Sequence, residues 1–165
     1  MANYDPLTPE GTCIFCDFAT KKKTAAGLFY ETDTHMAFLT PWPNTEGFTV
    51  VIPKAHLNSD VLSLPDSDLT DLMLTGKKVS SMLQKAFPDV GRVGMMVEGM
   101  GIDHAHIKLI PLHGTDYLKK EWKQMHGKCE GVYHETYKGY LISKEGPKVE
   151  DTVLATLAAK LKKYQ

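Results

Sequence analysis

The stretch that most constrains this chain is Asp103-His104-Ala105-His106-Ile107-Lys108-Leu109-Ile110-Pro111. Polar and apolar residues alternate from His104 to Leu109, and a period of two belongs to a strand with an apolar face turned to a core. In an extended chain His104, His106 and Lys108 project to one side, about 7 Å apart per step, and Ala105, Ile107 and Leu109 to the other. The expected strand covers residues 105–110, extended back to His104. It pairs as an antiparallel hairpin with residues 93–98 across the turn Gly99-Met100-Gly101. Two imidazoles and an ammonium in one row suit phosphate chemistry. One imidazole nitrogen attacks phosphorus while the other is fixed by a hydrogen bond, and the ammonium neutralises charge on the transferring group. A solvated polar face on an edge strand is the plainer alternative, but it does not account for the whole alternating row.

The rest of the chain supports a sheet around helices. Gly47-Phe48-Thr49-Val50-Val51-Ile52, closed by Pro53, reads as a strand, and shorter strands are expected at Leu28–Glu31 and residues 36–39. Leu69, Leu72, Met73, Val79, Met82, Leu83 and Ala86 recur at helical spacing. They predict a long helix capped by Asp66 or Ser67 and stopped by Pro88. A second amphipathic helix is expected over residues 149–161, with Val149, Val153, Leu154, Leu157 and Leu161 on one stripe. Residues 116–124 read as a short helix and residues 132–143 as a further hairpin. The fold class is α+β, with an antiparallel sheet of about five strands, one long helix and a C-terminal helix.

At 165 residues the chain is one ordinary domain. We divide it into a loose arm (1–12), the main domain (13–113) and an extension (114–165) packed on the same domain. A net charge of −1 favours neither nucleic acid nor an anionic membrane, and no apolar run approaches a membrane span. The N-terminal residues lack the basic and apolar segments of a secretory signal. Three cysteines are too few for a disulfide scaffold, so the expected location is cytoplasmic. Cys13 and Cys16 stand at a spacing that lets two thiolates reach one Zn²⁺ from a tight turn. A reduced thiol pair in a buried turn is the alternative reading.

The central segment resembles the histidine triad (HIT) superfamily, whose signature is His-φ-His-φ-His-φ-φ with φ apolar. Gly47-Phe48-Thr49-Val50-Val51-Ile52-Pro53-Lys54-Ala55-His56 and the opening Cys13-Ile14-Phe15-Cys16 are similar to two further blocks of that family, in the same order. The resemblance implies a nucleotide-binding sheet, a homodimer, and cleavage at the α-phosphate of a dinucleoside polyphosphate or nucleoside phosphoramidate. It makes His106 the nucleophile that becomes nucleotidylated, with Lys108 standing where the third histidine would be. It implies a structural Zn²⁺ held by Cys13, Cys16, His56 and His104. The family's Gln and Ser that contact phosphate and leaving group fall at Met100 and Gly101, and its ribose-binding acid falls at Thr40.

Four more residues are candidates for substrate contact: Thr40, Asn44 in the Trp42-Pro43-Asn44 turn, Glu98 after the strand, and His113 just beyond Pro111. Met95, Met96 and Met100 read as core or pocket lining. His35, His126, His134 and Cys129 have no companion pattern. The expected activity is that of a nucleotide hydrolase or transferase, and the alternative is a nucleotide-binding module with little or no turnover. A redox role for Cys13 and Cys16 ranks below both, because it leaves the histidine row without a purpose.

Overall fold

The apolar runs read from the sequence become five strands of one antiparallel sheet. A computed structural model describes residues 13–124 and 147–165. The arm, the hairpin expected at 132–143, and His126, Cys129 and His134 lie outside the described residues. In chain order come α1 (Ile14–Ala19), β1 (Leu28–Glu31), β2 (His35–Leu39), β3 (Thr49–Pro53), α2 (Asp66–Ala86), β4 (Arg92–Met96), β5 (Ile107–Leu112) and α3 (Asp151–Lys162). The strand order is β1-β2-β3-β5-β4, with every neighbouring pair antiparallel. Registers run from His35↔Pro53 to Leu39↔Thr49, from Thr49↔Leu109 to Val51↔Ile107, and from Arg92↔Leu112 to Met96↔Lys108.

Both faces of this sheet are covered, which explains why β2 and β3 are buried at every position. One face carries Ala37, Leu39, Val51, Ile107 and Leu109. It packs against Leu72, Val79, Met82 and Leu83 of α2 and against Leu154, Ala158 and Leu161 of α3. The opposite face carries Met36, Phe38, Val50 and Ile52, and Cys13 and Phe15 close over it from the first turn of the described chain. Helix α1 was not legible beforehand: six residues are too few to show helical periodicity.

Several boundaries differ from expectation. The expected strand start at His104 moves to Ile107, because the His104 N–H bonds to Ile102 O (2.9 Å) and the Ala105 N–H to Leu57 O (2.8 Å). Those groups are therefore not available to a neighbouring strand. The tight hairpin becomes a ten-residue connection from Val97 to His106. Within it Gly99 has φ +62, and a Cβ there would fall on the Ser59 backbone. Pro65, rather than Asp66 or Ser67, occupies the N-cap of α2, with no side-chain cap bond. Residues 116–124 shorten to a single 3-10 turn at Asp116–Lys119. Val153 faces out of α3 at 55% exposure, and Ala158 takes its place on the buried stripe. Met95 and Met100 are exposed rather than in the core.

Leu161 is fully buried in the same core as α2 and β5. Replacing Leu161 with Ala is expected to cost about 2–5 kcal/mol of stability, read as a lowered urea midpoint in one cooperative transition. A loss below about 0.5 kcal/mol, or a separate early transition, would show that α3 is not part of the main core.

Candidate active site and metal centre

The alternation at 104–108 survives outside the ladder. Ala105, Ile107 and Leu109 enter the main core, while His104 and His106 lie on the opposite face beneath Phe15. The edge of the Phe15 ring meets both imidazoles, with centroids 5.7 Å from His104 and 5.5 Å from His106. The two imidazoles are thus buried rather than solvated, His104 at 0% and His106 at 4% exposure, while Lys108 is half-buried.

His104 is bound at both ring nitrogens. Its Nε2–H donates to the Pro53 carbonyl (2.9 Å), since a carbonyl can only accept. That fixes Nδ1 as the lone-pair nitrogen, and Nδ1 lies 3.5 Å from both Cys13 Sγ and Cys16 Sγ. His56 Nδ1 is 3.2 Å from Cys16 Sγ. The four ligand atoms all fall within 4.8 Å of one another. A tetrahedral Zn²⁺ with ordinary Zn–S and Zn–N bonds sets ligand atoms about 3.3–3.8 Å apart, and these three sulfur–nitrogen separations fall close to that range. Two thiolates and two neutral imidazoles would also leave a divalent ion with no net charge in a buried place. Burial pushes the His104 imidazole down to about 4, which keeps it neutral and able to ligate. Burial, with the Cys13 thiol beside it, pushes Cys16 up to about 11, so loading a metal must displace thiol protons. The residues present therefore fit a tetrahedral metal.

His106 is oriented by the backbone of its neighbour. Its Nδ1–H donates to the His104 carbonyl (2.7 Å), which leaves Nε2 as the lone-pair nitrogen. Burial holds its pKa below the usual imidazole value, with Lys108 adding to the effect, so the ring is neutral near pH 7. His106 and Lys108 line a cleft of about 460 Å³, whose walls include Thr40, Trp42, Lys148 and Asp151. Lys108 is ion-paired: its ammonium donates to Oε1 of Glu98, near the start of the 97–106 connection. Glu98 Oε2 is buried without a hydrogen-bond partner among the described residues.

The other sequence candidates divide. Thr40 lines the His106 cleft, and Glu98 reaches it through Lys108. Asn44 is exposed and is not on the cleft wall. His113 lies apart, against Phe87, donating from Nδ1 to Asp89 (2.9 Å) and from Nε2 to the Glu46 carbonyl (3.0 Å). A larger groove of 640 Å³ between α3 and the loop around Glu46 has no histidine or cysteine on its wall. Lys148 and Asp151 carry no signal in the sequence, because isolated charges before and at the start of an amphipathic helix read only as solvation.

Comparison with known proteins places the fold and the family. The HIT domain family model matches residues 21–115. The adenosine 5'-monophosphoramidase of Saccharomyces cerevisiae is 31% identical over 106 residues, covering 64% of this chain and 66% of that protein. The chain thus spans just under two thirds of the yeast relative's length. Among solved structures, a hypothetical histidine triad nucleotide-binding protein of Sulfolobus tokodaii superposes with a TM-score of 0.67. The identity is 22%, over 92% of this chain and 91% of its own. A Zn-bound histidine triad family protein of Mycobacterium smegmatis gives 0.59 at 17% identity, over 93% and 98%.

Because His113 faces two acceptors, both of its ring nitrogens must carry protons to make both bonds. Partial burial pulls its pKa down, but the Glu46 carbonyl and the Asp89 carboxylate outweigh this and raise it overall. A raised folded-state pKa contributes stability that is complete below the unfolded value near 6.5 and is lost as pH rises through the folded value. The stability advantage of wild type over His113→Gln, read from the two urea midpoints, should therefore be largest below about pH 6.5 and shrink as pH rises. An identical pH profile in the variant would dismiss the contribution.

Proposed function

From a chain that belongs to the HIT domain family, we propose a nucleotide hydrolase or nucleotidyl transferase that works through a nucleotidyl-histidine intermediate on His106. The observation that carries this reading is the hydrogen bond from His106 Nδ1–H to the His104 carbonyl. It presents a neutral imidazole with a lone pair on Nε2, in a cleft that also holds an ammonium. Nε2 attacks the α-phosphorus of a nucleoside phosphoramidate or dinucleoside polyphosphate, and the bond from phosphorus to the leaving group breaks with its electron pair on that group, which departs as a polyphosphate anion or as an amine that takes a proton from solvent. The ring then carries a positive charge on its retained Nδ1–H, which the His104 carbonyl accepts more strongly. Water attacks the same phosphorus, nucleoside monophosphate leaves, and Nε2 regains its lone pair. Lys108 holds charge beside the phosphoryl oxygens, and Glu98 fixes where that charge sits. Of the other sequence candidates, Thr40 is proposed as a further substrate contact, whereas Asn44 and His113 stand off this cleft.

We assign Zn²⁺ to Cys13, Cys16, His56 and His104, where it would act as a structural ion pinning the start of the described chain to the segment that carries His106. The two unbridged thiols suit a reducing cytoplasm. A homodimer through the β4 edge is supported by the strand order, which leaves β4 at the border with Met95 exposed on it and Leu112 exposed on the adjoining strand. The Lys108–Glu98 pair favours a second reading, a nucleotide-binding module of low turnover. There the ammonium is committed to a carboxylate rather than to phosphate.

Intact-protein mass spectrometry during turnover of an adenylyl phosphoramidate should show a transient gain of one adenylyl group, mapping to His106. His106→Ala should lose both the adduct and release of the monophosphate, by at least about 10³-fold. Nucleotide binding without adduct or product would select the binding module instead. Metal analysis should find one zinc per chain, lost in Cys16→Ser. Full occupancy in that variant would dismiss the four-ligand site.

A further inference from the structure

The C-terminal segment does more than complete the core. Its residues 148–154 form one wall of the His106 cleft, where Lys148, Asp151 and Leu154 face the same space as Thr40, Trp42 and His106. The wall is held at two points. The Val149 N–H donates to the Pro41 carbonyl (2.8 Å), and Leu154 is buried in the main core. Among the described residues, the charged side chains on the cleft are Lys108, Lys148 and Asp151. Among those residues Asp151 is therefore its one carboxylate, and neither Asp151 nor Lys148 enters an ion pair with another described residue.

The geometry points to Asp151 as a specificity-determining residue that binds the vicinal hydroxyls of a ribose. This rests on the nucleotide reading of the site above. For Nε2 of His106 to attack, phosphorus must lie about 3–3.5 Å from it, at the Lys108 side of the cleft. A carboxylate repels that phosphate, so Asp151 must meet the neutral half of the ligand. Two adjacent hydroxyls offer two donors to its two acceptor oxygens, and bonds to an ionised acceptor are the stronger kind. The segment that carries Asp151 is bonded to the turn that carries Trp42, which is 44% exposed and lines the same cleft, and an indole there is a stacking partner for a base. Sugar and base would then share one wall assembled from both ends of the sequence.

Binding of AMP, 2'-deoxy-AMP and 3'-deoxy-AMP to the full chain, followed by calorimetry, tests this. The wild-type protein should bind AMP about tenfold or more tightly than either deoxynucleotide. Asp151→Asn should lose that advantage while holding the deoxynucleotides as before, and Asp151→Glu should recover part of it. An unchanged melting temperature in Asp151→Asn separates this from a weakened first turn of α3. If Asp151→Asn binds AMP as tightly as wild type, or loses all three ligands by the same factor, the assignment to ribose is overturned and the nucleotide reading stands. If wild type binds none of the three, both fall.

Discussion

The site depends on a single residue used three ways. The ring of His104 is tied by Nε2 to Pro53, in the strand beside β5, and its Nδ1 faces Cys13 and Cys16. Its backbone carbonyl sets the tautomer of His106. The cysteines stand about 90 residues earlier in the chain. Bringing them to His104 costs loop-closure entropy with few local contacts in return, and a metal ion is an efficient way to offset it. The same placement buries His106 beneath Phe15, which holds the imidazole neutral. Scaffold and reactive nitrogen are thus not separable here: what anchors one orients the other.

Beside that anchor, the electrostatics of the cleft are balanced rather than strongly positive. Lys108 is matched by Glu98, and Lys148 shares its wall with Asp151. An ammonium fixed by a carboxylate gives up part of its field but gains a defined position. Glu98, half-satisfied among the described residues, costs free energy in a buried place. Stability surrendered at one polar atom is a familiar accompaniment of a site whose groups must stand ready for a ligand.

Much of this was legible in the residues themselves. The alternation from His104 to Leu109 gave the correct faces, and the helix ending at Ala86 before Pro88 was placed closely, because long periodic segments and breakers are strong local signals. The clustering of Cys13, Cys16, His56 and His104 came from resemblance, not from spacing alone. The start of β5 departs from the alternating pattern because a strand is defined by its partners, and the backbone of Ala105 pairs with Leu57 instead. The ion pair of Lys108 and the wall at 148–154 had no local trace. Each depends on segments distant in sequence meeting in space.

The double coverage of the sheet also sets how this chain can change length. Where one face of a strand is solvated, a residue inserted or deleted beside it exchanges buried for exposed side chains, and a neighbouring loop can sometimes absorb the slip. Here both faces are occupied, one by α2 and α3 and the other by Phe15 and its companions. A single-residue indel between His104 and Lys108 would drive an imidazole into the main core and an isoleucine or leucine into the cleft. The ten-residue connection ahead of His106 is bound by no such parity over most of its length. Natural variation in loop length should therefore gather between Val97 and Asp103 and stop abruptly at His104.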